Sequence, residues 1–417
     1  MEASAHELFA ALRDLSFDGV GITRESFGPG ETAAHELVAQ HARTAGLDVG
    51  RDRAGNLVVT LPGRAATEPF LATGSHLDSV PRGGNYDGAA GVIAGLLALA
   101  SLKRDGIVPP RTVKLYALRG EESAWFGKSW IGAHALFGLL SESDLAQRRQ
   151  DTGRPLSDYL GEIGADLDAI GARERLLDPA SVAAFIEVHI EQGPVLEAKA
   201  IPLGVVTAIH GNLRHRRVQC RGEAAHAGAT PRELRRDAVL ALADLIMRID
   251  AHWARWLEEG RRLVVTHGII GTDASEHAIS RIAGEAIMSV EIRAEDDATL
   301  HAFHDLVQRE ATAVAAARDV SFEFDAPIIN PAAPMDARWR KRLSMVCDQA
   351  GIAHMSLPSG AGHDAAVFSQ VGIPTAMLFI RNQAGSHNPR ENMDMSDFVA
   401  ATRVLREALL TGSVAAQ

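Results

Sequence analysis

Four apolar runs in this chain each lead into a histidine or a carboxylate, and that recurrence restricts the fold more than any other feature. Phe70–Ser75 leads to His76 and Asp78, Thr112–Leu118 to Glu121 and Glu122, Ala183–His189 ends on His189 and Glu191, and Thr375–Ile380 precedes His387. Short apolar runs of this kind read as buried strands. Helical patterns separate them: Glu31–Thr44 closed by Gly46, an Ala- and Leu-rich stretch Gly88–Leu102, and Phe398–Leu410. Strands alternating with helices predict an α/β layer in which strand ends deliver side chains to one edge of a sheet.

The texture changes in the middle of the chain. Alternating segments at Arg216–Cys220, Leu263–Gly268 and Ala286–Arg293 surround a helix whose opener reads as Thr230-Pro231, with Leu234, Ala238, Ala241 and Leu245 as its apolar stripe. The helix and strand alternation of the first part resumes after Pro331. We therefore expect residues 1–208 and 328–417 to form one domain and 209–327 to form an insertion, a division that suits 417 residues. Ser141–Leu177 reads as a polar excursion with helical stretches such as Leu156–Ile163.

Composition excludes several classes. With 46% hydrophobic and 23% charged residues the chain has the makeup of a globular protein rather than a disordered one. A net charge of -11 argues against a partner with a phosphate backbone, and the basic run Arg214–Arg217 is too short to change that. Two cysteines, Cys220 and Cys347, build neither a disulfide framework nor a cysteine-rich metal knuckle. The first residues lack the basic and apolar regions of a secretory signal, and Gly88–Ala100 is shorter than the roughly 18 to 20 residues of a membrane span, so a cytoplasmic chain is expected.

Chemistry is concentrated at the strand ends. His76 and Asp78 are two apart, so the period of a strand points them to one side. Asp87 follows in the glycine-rich loop Gly83–Gly88. Imidazole with carboxylate suits a borderline divalent metal, zinc first, with manganese, cobalt or nickel as alternatives. Taken singly, His76 reads as a core histidine, Asp87 as a helix cap and Glu121-Glu122 as a solvated acidic turn. Their accumulation along one chain favours a metal-assisted hydrolase, in which one glutamate binds metal and its neighbour carries the proton. His226, on the turn Gly222–Gly228, has the chemistry to donate to an oxyanion. Arg293, ending Ser289–Arg293, has the fork to hold a carboxylate, although a surface ion pair is the commoner fate.

In this order the residues resemble the N-carbamoyl-L-amino-acid hydrolase and allantoate amidohydrolase family, a branch of the dinuclear aminoacylase and carboxypeptidase-like hydrolases. The resemblance runs over nearly the whole chain and rests on Gly74-Ser-His-Leu-Asp78, Tyr86-Asp-Gly88, Gly120-Glu-Glu122, Ile186-Glu-Val-His-Ile-Glu-Gln-Gly193, His226-Ala-Gly228, Ser359-Gly-Ala-Gly-His-Asp364 and Ser386-His387. It implies a mixed-sheet dinuclear metallohydrolase domain split by an α+β lid and dimerisation domain. His76 and His189 would hold one ion, Glu122 and His387 the other, and Asp87 would bridge. Asp78 would orient His76, and Glu121 would be the general base. The resemblance also puts Gln192, His226, His277, Arg293 and Gly360 at the substrate, with His226 reaching the site of a partner subunit in a homodimer.

One segment departs from that pattern. The family's Asn-Ala-Xaa-Asn-Xaa-Val-Pro-Gly reads here His277-Ala-Ile-Ser-Arg-Ile-Ala-Gly284. An imidazole does not reproduce the paired donor and acceptor of a carboxamide. The expected activity is hydrolysis of a linear amide or ureido C–N bond in a carboxylate-bearing N-carbamoyl or allantoate-like substrate by metal-activated water. An N-acyl amino acid acylase or a dipeptidase is the alternative. An inactive binding scaffold would lack a ligand or the base, and neither is missing. A serine hydrolase reading of Ser359–His363 fails for want of a Gly-Xaa-Ser-Xaa-Gly elbow.

Overall fold

The computed structural model describes residues 1–410. They divide into two compact units, one built from Met1–Thr207 and the chain from Met335 onward, the other from Ala208–Pro334. The inserted unit runs beyond residue 327 because Ile328–Asn330 forms a strand in register with Asn212–Arg214.

The first unit is organised by a mixed sheet. Its strands follow the order Asp48–Arg51, Leu57–Leu61, Val113–Leu118, Phe70–His76, Val182–Ile190, Thr375–Ile380, Leu203–Ile209. The middle four are mutually parallel, with Ser75 opposite Ala117, Thr73 opposite Ile186, and His189 opposite Phe379. Parallel strands need coverage on both faces, which explains why Phe70–His76 and Thr375–Ile380 are buried at every position. Helix Ala89–Arg104 supplies part of that cover. Its small and aliphatic residues are buried around nearly the whole circumference, and Ile93 and Leu96 join Val188, Ala117, Leu378, Phe398 and Leu405 in one core. Each such aliphatic side chain contributes about 1.5–3 kcal/mol by leaving water.

The second unit sets two long helices, Ala238–Glu258 and Asp297–Arg318, with an antiparallel sheet. Burial alternates residue by residue along Glu285–Ala294, and its inward positions Met288, Val290 and Ile292 pack with Leu245, Phe303 and Val307. The opener of the first helix differs from the sequence reading. Thr230 donates its N–H to the carbonyl of His226, and Arg235 donates to the carbonyls of Thr230 and Ala227, so Thr230-Pro231 belongs to a locked turn. Only a short turn of 3-10 helix, Arg232–Leu234, follows, and Leu234 is 71% exposed. The α-helix begins after Asp237, whose carboxylate accepts the otherwise unpaired N–H groups of Val239 and Leu240. A side chain serving two orphan donors outcompetes a threonine already used in a turn.

Asp237→Ala is therefore expected to destabilise the second unit by about 1 kcal/mol, whereas Thr230→Ala stays within about 0.5 kcal/mol of the parent. Urea denaturation followed by circular dichroism measures both, and equal losses would contradict the assigned cap.

Candidate metal centre

Because the four central strands run parallel, their carboxyl ends share one edge, and the residues that follow converge there. His76 closes its strand and Asp78 lies two residues on. Arg119-Gly-Glu-Glu122 follows Leu118, His189 is the penultimate residue of Val182–Ile190, and the loop carrying Ser386 and His387 comes after Ile380. Asp87 sits just before helix Ala89–Arg104. Its neighbour Gly88 has φ +64, and a Cβ there would lie 2.4 Å from His76 Nε2. Glycine is required at that position by both the backbone and the close ring.

Two groups of ligand-type atoms result, each within 4.8 Å: His76, Asp87 and His189, and Asp87, Glu122 and His387. Asp87 belongs to both. Its Oδ1 lies 3.7 Å from His76 Nε2 and 3.3 Å from His189 Nε2, and its Oδ2 lies 3.3 Å from His387 Nε2. His387 Nε2 is also 3.2 Å from Glu122 Oε1. The Nδ1 atoms of His76 and His189 are turned away, to the carbonyls of Asp78 at 3.0 Å and Ile190 at 2.9 Å. That fixes each ring with Nε2 toward Asp87. Asp87 Oδ1 is buried without a hydrogen-bond partner, a condition a cation between the imidazoles would relieve. The residues fit a divalent metal.

Surrounding groups hold this arrangement. Asp78, fully buried, accepts the N–H groups of Glu121 and Glu122, each at 3.1 Å, and the Ser26 hydroxyl at 2.5 Å. Gln192 and Ser386 donate to Asp87 Oδ2 at 2.9 and 2.6 Å. Glu121 stands beside these ligand-type groups, with Oε2 3.9 Å from His76 Nε2 and Oε1 accepting the indole N–H of Trp130 at 2.8 Å.

Burial pushes the Glu121 carboxyl well above the usual range, the attraction of His76 working against it and repulsion from Glu122 adding to it. For Asp87 burial also acts upward, but the facing imidazoles of His189, His387 and His76 outweigh it and hold the carboxyl well below its usual range. His387 is pushed up to about 11 by its bonds to Asp87 and Glu122. His76 is raised well above its ordinary value, since Glu121, Asp78 and Asp87 outweigh burial.

The remaining expected residues are placed as follows. Gly360 lies exposed just after the strand His354–Ser359. His226, His277 and Arg293 belong to the second unit. His226 Nδ1 accepts the N–H groups of Gly228 and Ala229. His277 Nε2 is 2.7 Å from Thr272 Oγ1, and Arg293 pairs with Glu291 at 2.9 Å. Ser359 is buried and gives its hydroxyl proton to the carbonyl of Ala361, so it accepts from His363 and is no nucleophile.

Glu391, Glu187 and Trp130 carry no role in the sequence reading. Glu391 accepts from the N–H groups of Tyr86 and Asp87 and lies 2.6 Å from the Ser386 hydroxyl oxygen. Glu187 and His363 form a further ligand-type group with His189, although Glu187 is engaged by Ser75 and the N–H of Ala365. Trp130 carries no motif. Glu187 alone offered a signal, as a charge inside an otherwise apolar strand.

A parallel-centred sheet whose edge gathers shared acid and imidazole ligands around a buried glutamate defines the class of metal-dependent hydrolases. The chain belongs to Peptidase family M20/M25/M40, which residues 72–411 match. It is 34% identical over 392 residues to the N-carbamoyl-L-amino acid amidohydrolase of Geobacillus stearothermophilus, covering 92% of each chain. It is 30% identical over 386 residues to the allantoate amidohydrolase of Escherichia coli, covering 92% of this chain and 91% of the other. The crystal structure of an amidase of the hydantoinase/carbamoylase family from Burkholderia multivorans superposes with a TM-score of 0.87 at 27% identity, covering 98% and 97%. Among the described residues no helix is long and apolar enough to cross a membrane.

Metal binding should release protons. His387 holds a proton in the metal-free protein from its ordinary value of 6.5 up to about 11, so over that range a metal must displace it and affinity rises with pH. Calorimetric titration of chelator-treated protein with zinc, in buffers of different ionisation enthalpy, reads the protons released. None released at neutral pH would remove His387 from the ligand set.

Proposed function

We propose that this chain hydrolyses the C–N bond of a linear N-carbamoyl amino acid or an allantoate-like ureido compound, with two divalent metal ions, zinc first, in each subunit. The observation that carries this reading is Asp87 shared by two ligand groups with the buried carboxylate of Glu121 beside them. His76 and His189 would hold one ion and Glu122 and His387 the other. When bound, such ions supply the positive charge that makes water acidic and polarises the scissile carbonyl.

The chain's own residues do the rest. Glu121 takes the proton from the attacking water and passes it to the departing nitrogen. Its raised pKa suits that shuttle, since a carboxyl above the usual range is a better proton acceptor. Asp78 holds His76 through the contact at Nδ1 and holds Glu121 through the backbone. His226 is suited to the developing oxyanion, because two N–H groups donating to Nδ1 leave Nε2 as the protonated atom. Arg293 is suited to a substrate carboxylate that replaces Glu291 on its guanidinium.

A homodimer through the second unit is part of this proposal. Its outer strand segments, Leu263–Thr266 and Ile270–Gly271, pair with Glu285–Ala294, and Val264, Ile269 and Ile270 expose apolar side chains there. Exposed apolar groups on an outer strand suit association with a second copy.

Zinc- or manganese-loaded protein is expected to release ammonia from N-carbamoyl amino acids or allantoate faster than it frees amines from N-acetyl amino acids or dipeptides, and the reverse ranking would select the acylase alternative. Glu121→Gln should keep its metal, measured by elemental analysis, and lose turnover by about a hundredfold or more; near-normal turnover would end the general-base assignment. Arg293→Ala should raise KM for carboxylate substrates about tenfold or more with a smaller change in kcat, and an unchanged KM would mean that the carboxylate is held elsewhere.

A further inference from the structure

Trp130 is tied to Glu121 twice. Its backbone N–H donates to the Glu121 carbonyl at 2.9 Å, and its indole Nε1–H donates to Glu121 Oε1 at 2.8 Å. The next two residues continue the clamp, Ile131 donating to the carbonyl of Gly120 and Gly132 to that of Arg119. The segment 130–132 thus runs as a splint along 119–121.

Trp130 holds this place in an unfavourable conformation. Its φ of 58 and ψ of 36 lie in the left-handed region, uncommon for any residue with a side chain and costly for a bulky one. Such a conformation persists where the surroundings over-determine it, and it points to a role for the side chain. Here the surroundings are specific. The indole edge packs against Gly362, where a Cβ would lie 2.4 Å from Cζ2, and the ring meets His134 edge-on at 5.9 Å. Gly362 lies in the loop that carries Gly360.

The consequence is an asymmetric carboxylate. Oε1 of Glu121 is occupied by the indole, and Oε2 is the oxygen near His76 Nε2, at 3.9 Å. A carboxylate free to rotate would offer either oxygen and would spend part of its time pointing away from the ligands. We infer that Trp130 is the positioning residue of the general base: by holding one oxygen of Glu121 it assigns the proton shuttle to the other. The inference rests on the reading of Glu121 as the base.

The test separates the two. Trp130→Phe keeps an aromatic ring against Gly362 and His134 and removes only the N–H. It is expected to lower kcat about tenfold to a hundredfold, as a small misplacement of a catalytic group does, with KM within about threefold and metal content unchanged. In a Glu121→Gln background the same substitution should have no further effect on kcat, because the residue acts through the carboxylate. An equal loss in both backgrounds, or no loss in the parent, would overturn the inference. If Glu121→Gln alone is active, the base assignment fails instead.

A readout independent of turnover is the indole N–H resonance in protein labelled with 15N-tryptophan. One of five such signals should vanish in Trp130→Phe and shift in metal-loaded Glu121→Gln, where the carboxyl acceptor becomes a carboxamide. Trp130→Tyr gives the same assignment if the phenylalanine variant does not fold. A resonance unmoved in Glu121→Gln would overturn the inference.

Discussion

The site depends on what one buried carboxylate does. Asp78 lies two residues past the end of a central strand with no solvent exposure, and it accepts from Ser26 and from the backbone of both Glu121 and Glu122. Its Oδ1 also lies 3.4 Å from His76 Nδ1. One side chain thereby joins the chain entering helix Pro29–Thr44, the end of one strand and the loop after its neighbour. Burial alone would raise its pKa, but the bonds from His76, Ser26 and the backbone outweigh it and keep Asp78 ionised. The adjoining peptide is fixed in the same way. Glu31 and Arg119, both without exposure, form an ion pair while Glu31 accepts from Gly120. Breaking such a pair by removing one partner costs about 3–5 kcal/mol.

That framework concentrates negative charge. Asp78, Asp87, Glu121, Glu122, Glu187, Asp364 and Glu391 are all buried in the first unit. Burial raises the carboxyls of Glu121, Glu122, Glu187 and Asp364, and lifts Glu391 to about 7. The nearby histidines and Arg24 offset part of this. Divalent cations at the two ligand groups would offset more, so metal binding and folding stability are linked in this unit. Backbone donors, hydroxyls, an amide or an indole meet Asp78, Asp87, Glu121, Glu187 and Glu391, whereas both carboxyl oxygens of Asp364 are buried without a hydrogen-bond partner.

This division explains what the sequence made legible. A buried parallel strand is an unbroken apolar run, so its end is visible, and His76, Asp78, Glu121, Glu122, His189 and His387 all lie at or beyond such ends. Asp87 was visible through the glycines that its loop requires. Glu391 was not visible, because a carboxylate in a polar loop has the same local sequence whether it meets solvent or a buried hydroxyl. Trp130 was hidden for a different reason. Its hydrogen bond to a residue nine positions earlier depends on a left-handed backbone that no neighbouring glycine announces. The helix opener at Thr230-Pro231 misled because Thr-Pro and Asp-Ala both suit a first turn, and the bonds from Arg235 back into the turn chose between them.

The two units also divide the chemistry. The ligand-type groups and their supports, Ser26, Gln192, Ser386 and Trp130, belong to the first unit, while His226, His277 and Arg293 belong to the second. Metal ligands tolerate little change, since each atom must meet a fixed geometry. Residues that contact only substrate answer to its shape alone, so a family can alter them while the hydrolytic step persists. His277 stands where the resembled family pattern carries an asparagine. The imidazole already spends Nε2 on Thr272, which leaves one ring nitrogen where a carboxamide would offer both a donor and an acceptor. A substrate group that met a carboxamide there with paired bonds would find a single partner in this chain.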